Sequence, residues 1–165
     1  MRRVWCALAT ALQLAAIGGP SLAADVSDNR VVSSSDDAAL AAASSQARKT
    51  LPIFWKKYDQ QTSPYYGVYA SFPVPGGVEN VWARPLRREH GKVLVRIAAD
   101  PAILKLKYGD QVWIEQGQII DWQYASGGKL YGAYVTRALM SRVTPERRET
   151  AARLLAPTPL EPGDN

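Results

Sequence analysis

The chain has 165 residues, with 20 Lys and Arg against 15 Asp and Glu, one histidine and one cysteine. That length suits one domain with a real core. A net charge of +5 is too modest to argue for nucleic acid, and so few His and Cys argue against a transition-metal site.

The first 23 residues read as a signal peptide. Arg2 and Arg3 form a positive n-region, and residues 4–17 form an apolar run interrupted only by Thr10 and Gln13. Gly18-Gly19-Pro20 breaks it, and Ser21-Leu22-Ala23 offers the small residues that a signal peptidase reads. The run is shorter than the roughly 20 residues of a spanning helix. The expected product is therefore periplasmic or secreted, with no transmembrane anchor after cleavage. Cys6 departs with the leader, so the mature chain of roughly 140 residues has no thiol and holds together by packing alone. Its net charge falls to about +3, and export itself argues against nucleic acid as a partner.

Residues 24–35 are polar and form a flexible leader. A single α+β domain is expected over 36–143, with N-terminal helices packed on a bent, mostly antiparallel sheet of five or six strands. Ser35 or Asp36 caps a first, Ala-rich helix over 37–49. Thr50-Leu51-Pro52 restarts the chain, and 53–58 form a second helix anchored by Phe54 and Trp55. Residues 65–72 alternate as a half-buried strand, with Tyr66, Val68, Ala70 and Phe72 on one face. A turn over 73–77 leads to a second strand over 78–86, where Pro85 marks an edge or a bulge. A third strand spans 92–98 and a fourth 111–115. Gln116-Gly117 is a two-residue hairpin loop before a return strand that starts at 118.

The stretch 121–137, DWQYASGGKLYGAYVTR, has Ser126-Gly127-Gly128 at its middle and reads as a hairpin carrying aromatic side chains. Residues 135–142 close the fold as a strand end or short helical turn. A surface helix over 144–155 follows, and 156–165, with three prolines, form a disordered tail.

With these residues in view, the chain resembles the YegJ-like family of bacterial domains of unknown function. The resemblance rests on Gly76-Gly77-Val78-Glu79 with Trp82, Asp100-Pro101, Gly109-Asp110, and Asp121-Trp122 with Tyr124, Gly132 and Arg137. It covers about 47–140 and implies a compact α+β fold without a catalytic assignment.

No nucleophile elbow, phosphate loop or dinucleotide fingerprint appears, so no catalytic residue, cofactor or metal is assigned. His90 is a turn residue in a charged loop. Asp121 is placed to hold Arg137 in a bidentate pair. The stretch 84–96 carries Arg84, Arg87, Arg88, Lys92 and Arg96 with one acid, Glu89. Arg84 and Arg88 share strand parity, which suggests a basic stripe, although such charges also blunt edge strands. Trp82, Trp122, Tyr124 and Tyr131, with Tyr65, Tyr69, Trp113 and Tyr134, are divided between core and an open aromatic face.

The reading that follows is a non-catalytic envelope binding module using Trp82, Arg84, Arg88, Asp121, Trp122, Tyr124, Tyr131 and Arg137. Its partner is an envelope protein or an anionic glycan, with lipid headgroups a further anionic class. The competing reading is an envelope hydrolase using two of Glu79, Asp100 and Asp121. A structural part in a larger envelope assembly is a third.

Processing of the leader has a direct readout. Amino-terminal sequencing of the protein from periplasmic material should begin Ala24-Asp25-Val26, and a retained Met1 would contradict the assignment.

Overall fold

The computed structural model describes residues 38–164. The signal peptide, the 24–35 leader and the Ser35 or Asp36 cap lie outside the described residues. Helix α1 (Ala38–Asp59) precedes strands β1 (Tyr66–Val74), β2 (Gly77–Glu89), β3 (Lys92–Ile97) and β4 (Gln111–Glu115). A 3₁₀ turn at Gln116–Gln118 leads to β5 (Ile119–Ser126) and β6 (Lys129–Gly132), then helices α2 (Tyr134–Leu139) and α3 (Pro145–Leu154). All strands are antiparallel neighbours in the order β4-β3-β2-β1-β5-β6, so the α+β expectation with a six-stranded sheet holds.

Helix α1 is continuous, not the two helices expected, and Pro52 lies inside it. Packing overrides the proline: Ala47, Leu51, Phe54 and Trp55 all bury against the sheet, a gain larger than the cost of about 3 kcal/mol of an interior proline. Nearby carbonyls accept side-chain donors. The Trp122 indole N–H donates to Ala47 O at 2.9 Å, and the Thr50 hydroxyl lies 3.0 Å from Gln46 O. Thr50 is thus mid-helix and not a cap.

The expected Gln116-Gly117 hairpin does not form, because β5 pairs with β1 and not with β4. In a flat sheet, four strand spacings would separate β4 from β5 by about 19 Å, beyond the reach of about 14 Å of the three-residue connection. The sheet therefore curls. The connection is pinned at both sides, with Gln116 N–H on Gly91 O at 3.0 Å and Gln118 Nε2 on Ser71 O at 3.0 Å.

Alternation sorts the side chains as the sequence implies. Val68, Ala70, Val81, Ala83, Val93, Val95, Ile97, Ile114, Ile119, Trp122 and Tyr124 face α1 and form the main core. On the opposite side, Tyr69, Trp82 and Ile120 form a second cluster with Leu40 and Val135, beneath α2. A bulge between Tyr69 and Ala70 makes Ile120 an extra residue of β5, so that Ile120 and Asp121 both lie on the Tyr69 side while Ile119 returns to the main core.

The β5–β6 hairpin forms as expected, with Gly127 and Gly128 at φ 55° and 74° in its turn, the left-handed pair that a two-residue hairpin favours. The tail is not disordered. It runs along β6: Leu155 bridges Leu130 in parallel, Ala156 N–H reaches Leu130 O at 2.9 Å, and Gly132 N–H reaches Pro159 O at 2.7 Å. Lys57 of α1 then holds Glu161 at 2.5 Å and Asp164 at 3.0 Å. Composition alone misses this, because backbone groups of an edge strand and two carboxylates supply the attraction.

Gly132 (φ 73°) lies against the Trp122 ring, where an added Cβ would come within 2.4 Å of Cε3 and 2.3 Å of the Trp122 carbonyl. Gly132→Ala should therefore lower stability by about 3 kcal/mol or more, measured by urea denaturation. A loss under about 1 kcal/mol would show that the ring yields.

Candidate functional site

Asp121 is fully buried. Gly132 and Ala133, both left-handed (φ 73° and 54°), turn the chain from β6 into α2 so that its first N–H groups face this carboxylate. One oxygen accepts from Trp122 N–H at 2.8 Å and Tyr134 N–H at 3.1 Å; the other accepts from Val135 N–H at 2.8 Å. Burial pushes the carboxyl from 3.8 up to about 7, against the downward pull of the three donors and of the Arg137 charge.

Asp121 and Arg137 do not form the expected bidentate pair. Arg137 instead grips carbonyls: Nε donates to Gly132 O at 2.8 Å, one terminal nitrogen to Ala156 O at 2.8 Å, and the other to Leu130 O and Thr158 O at 3.4 Å each. The guanidinium joins β6, α2 and the tail. Both residues are structural ties at two ends of one short helix, which their spacing alone could not reveal.

The aromatic candidates are mostly interior. Trp122 stacks on Tyr124 at 5.8 Å and Tyr124 on Tyr131 at 5.5 Å, with Phe54 5.6 Å from Trp122. Trp122 and Tyr124 are core and Tyr131 is half-buried. Trp82 is buried and stacked on Tyr69 at 4.9 Å. The 121–137 hairpin therefore presents no open aromatic face, because these rings fill the space under α1 and α2.

The carboxylates proposed as a catalytic pair serve loops. Buried Glu79 accepts from Ala102, Ile103 and Leu104 N–H at 2.5, 3.0 and 2.8 Å. Asp100 accepts from Tyr108 N–H at 2.6 Å. His90 is exposed in the β2–β3 turn at φ 48°. Among the described residues no group of three or more His, Cys, Asp or Glu is arranged to hold a metal, and no helix is long and apolar enough to cross a membrane.

The basic candidates divide. Register shifts between Pro85 and Arg87, so Leu86 is an extra residue and parity flips. Arg88 consequently pairs with core-facing Val93, lies 4.5 Å from the Trp55 ring, and grips both Asp59 oxygens at 2.7 and 2.6 Å. It is not on a stripe with Arg84.

The other face of β2, β3 and β4 stays open. There Arg84 sits opposite Arg96, and Arg96 opposite Gln111; one step along, Arg87 pairs with Leu94 and Leu94 with Trp113. Arg84 lies over the Tyr65 ring at 5.2 Å and Arg87 over the Trp113 ring at 5.3 Å. Arg87 also meets Glu89 at 3.1 Å. Neither Arg84 nor Arg96 has a carboxylate in ion-pair contact among the described residues. Like charges directly opposite on adjacent strands are destabilising, and no carboxylate in ion-pair contact offsets this pair among the described residues. Its members were legible as a basic cluster; the bulge that sorts them was signalled only by Pro85.

Residues 37–154 match the family described as an uncharacterized protein conserved in bacteria, DUF2314. The chain is 29% identical over 117 residues to uncharacterized protein YegJ of Escherichia coli (strain K12), covering 70% of this chain and 76% of that one. No solved structure matches.

The Asp121 carboxyl makes a signed prediction. The folded state holds this proton to higher pH than the unfolded chain, so its contribution is complete below about pH 4 and is lost as pH rises through about 7. Across that window the wild-type Tm should fall relative to Asp121→Asn, whose amide does not titrate. Parallel Tm curves would exclude titration of this group there.

Proposed function

The chain belongs to the DUF2314 family of uncharacterized bacterial proteins, and from that premise we propose that it is an exported, non-catalytic binding module of the cell envelope. Its ligand face is the open side of β2, β3 and β4. The observation that carries this reading is the Arg84–Arg96 cross-strand pair, exposed and without a facing carboxylate. Two guanidiniums in adjacent strands offer planar, multidentate donors to an anionic ligand, and Tyr65 beneath Arg84 restricts one of them before binding. Export rests on the composition of residues 1–23.

The competing hydrolase would need a carboxylate oxygen turned toward substrate. Glu79 and Asp121 each commit both oxygens to backbone N–H groups inside the protein, which favours the binding reading.

The test is retention on isolated envelope fractions. Arg84→Glu/Arg96→Glu, on an exposed face, should leave the circular dichroism spectrum intact and reduce the retained protein about tenfold. Retention equal to that of the wild type would refute this face as the ligand surface.

A further inference from the structure

The apolar surface of the described chain is unevenly distributed. Its exposed large hydrophobic residues are Ile103, Tyr108 and Trp113, at 43%, 72% and 38% exposure. Ile103 and Tyr108 lie in the β3–β4 loop, which joins β3 just past Arg96 and β4 at Gln111, and Trp113 lies on β4. Exposed Lys105 and Lys107 alternate with Leu104 and Leu106, whose side chains pack inward on the main core. The loop's two acids are exposed, and each accepts from the loop's own backbone: Asp100 from Tyr108 N–H, and Asp110 from Lys107 N–H at 2.8 Å.

This loop is built, not frayed. Glu79 holds Ala102, Ile103 and Leu104 through their N–H groups. The loop's far end closes on β3, with Ile97 N–H on Asp110 O at 2.8 Å and Gly109 N–H on Ile97 O at 2.9 Å. The anchored loop thus presents Ile103 and Tyr108 to solvent beside exposed Lys105 and Lys107, and Trp113 is exposed on β4.

We propose that the β3–β4 loop and the Arg84–Arg96 face together dock on a bilayer surface of anionic phospholipid, an inference that rests on the binding reading above and names its partner. Trp and Tyr favour the headgroup level, where an apolar body and a polar tip are both satisfied. Ile103 gains by leaving water for the acyl boundary. Lysine and arginine meet lipid phosphates, each adding to binding near an anionic surface. A glycan would satisfy the arginines and leave Ile103 and Tyr108 in water; a bilayer satisfies both sets.

The experiment is co-sedimentation of the full chain, as cells process it, with vesicles of phosphatidylglycerol and phosphatidylcholine or of phosphatidylcholine alone. The protein should bind the anionic vesicles, weaken as salt rises, and lose at least about tenfold in affinity in Arg84→Glu/Arg96→Glu. Lys105→Glu/Lys107→Glu should also weaken binding. Tryptophan emission should shift to the blue on binding, and in the processed chain, which lacks Trp5, Trp113→Phe should abolish the shift, since Trp55, Trp82 and Trp122 are buried.

Equal binding to neutral vesicles, or a shift that survives Trp113→Phe, would overturn the proposal. Absence of vesicle binding would also overturn it. If Arg84→Glu/Arg96→Glu still lowers envelope retention in that case, the binding reading stands with a glycan or protein as partner; if retention is unchanged too, both fall.

Discussion

Asp121 carries more of this architecture than any aromatic residue around it. A buried carboxylate is costly unless hydrogen bonds replace its water, and here three backbone N–H groups do so. Those donors belong to β5 and to the first residues of α2, so the carboxylate fixes where the helix sits on the sheet. From α2, the Tyr134 hydroxyl meets Thr50 of α1 at 2.9 Å, and Arg137 reaches β6 and the tail. Four segments thereby depend on one side chain. Removing the acceptor would leave up to three buried N–H groups unpaired, each at about 1–3 kcal/mol.

The same helix divides the sheet's second face into two territories. Under α2 and the start of α1, Tyr69 and Trp82 are dry and stacked. Beyond them, β2, β3 and β4 extend without a cover, and their outward residues are arginines, Leu94, Gln111 and Trp113, with Glu89, Lys92 and Glu115 at the far end. The bulge at Leu86 sharpens the division by turning Arg88 to the helix side, where Asp59 and Trp55 neutralise and cover it. Arg84 and Arg96 remain as the uncompensated part of the charge.

Much of the fold was legible because strand alternation in 65–72 and 92–98, the Gly127-Gly128 turn and the Thr144-Pro145 helix start are local signals. What escaped was non-local. The helix break expected at Pro52 gave way to burial of Leu51, Phe54 and Trp55. A β4–β5 hairpin was expected because Gln116-Gly117 resembles a tight loop, whereas pairing is decided by which strand offers β5 a hydrophobic partner row, and that is β1. At the candidate site, Arg84 was recognisable as part of a basic cluster, while Asp121, Trp122 and Tyr124 were singled out for chemistry and serve packing. Residue type shows what a side chain is able to do; only its neighbours show whether that capacity is already used.

The tail has a consequence for how the chain reaches this state. Lys57 in the first described helix meets Glu161, 104 positions later, and Arg137 finds its carbonyl partners at Ala156 and Thr158 only when that segment is present. Contacts of such separation slow folding, because loop closure precedes the stabilisation it brings. A ribosome-bound chain therefore cannot complete the native contact set until nearly all of it has emerged.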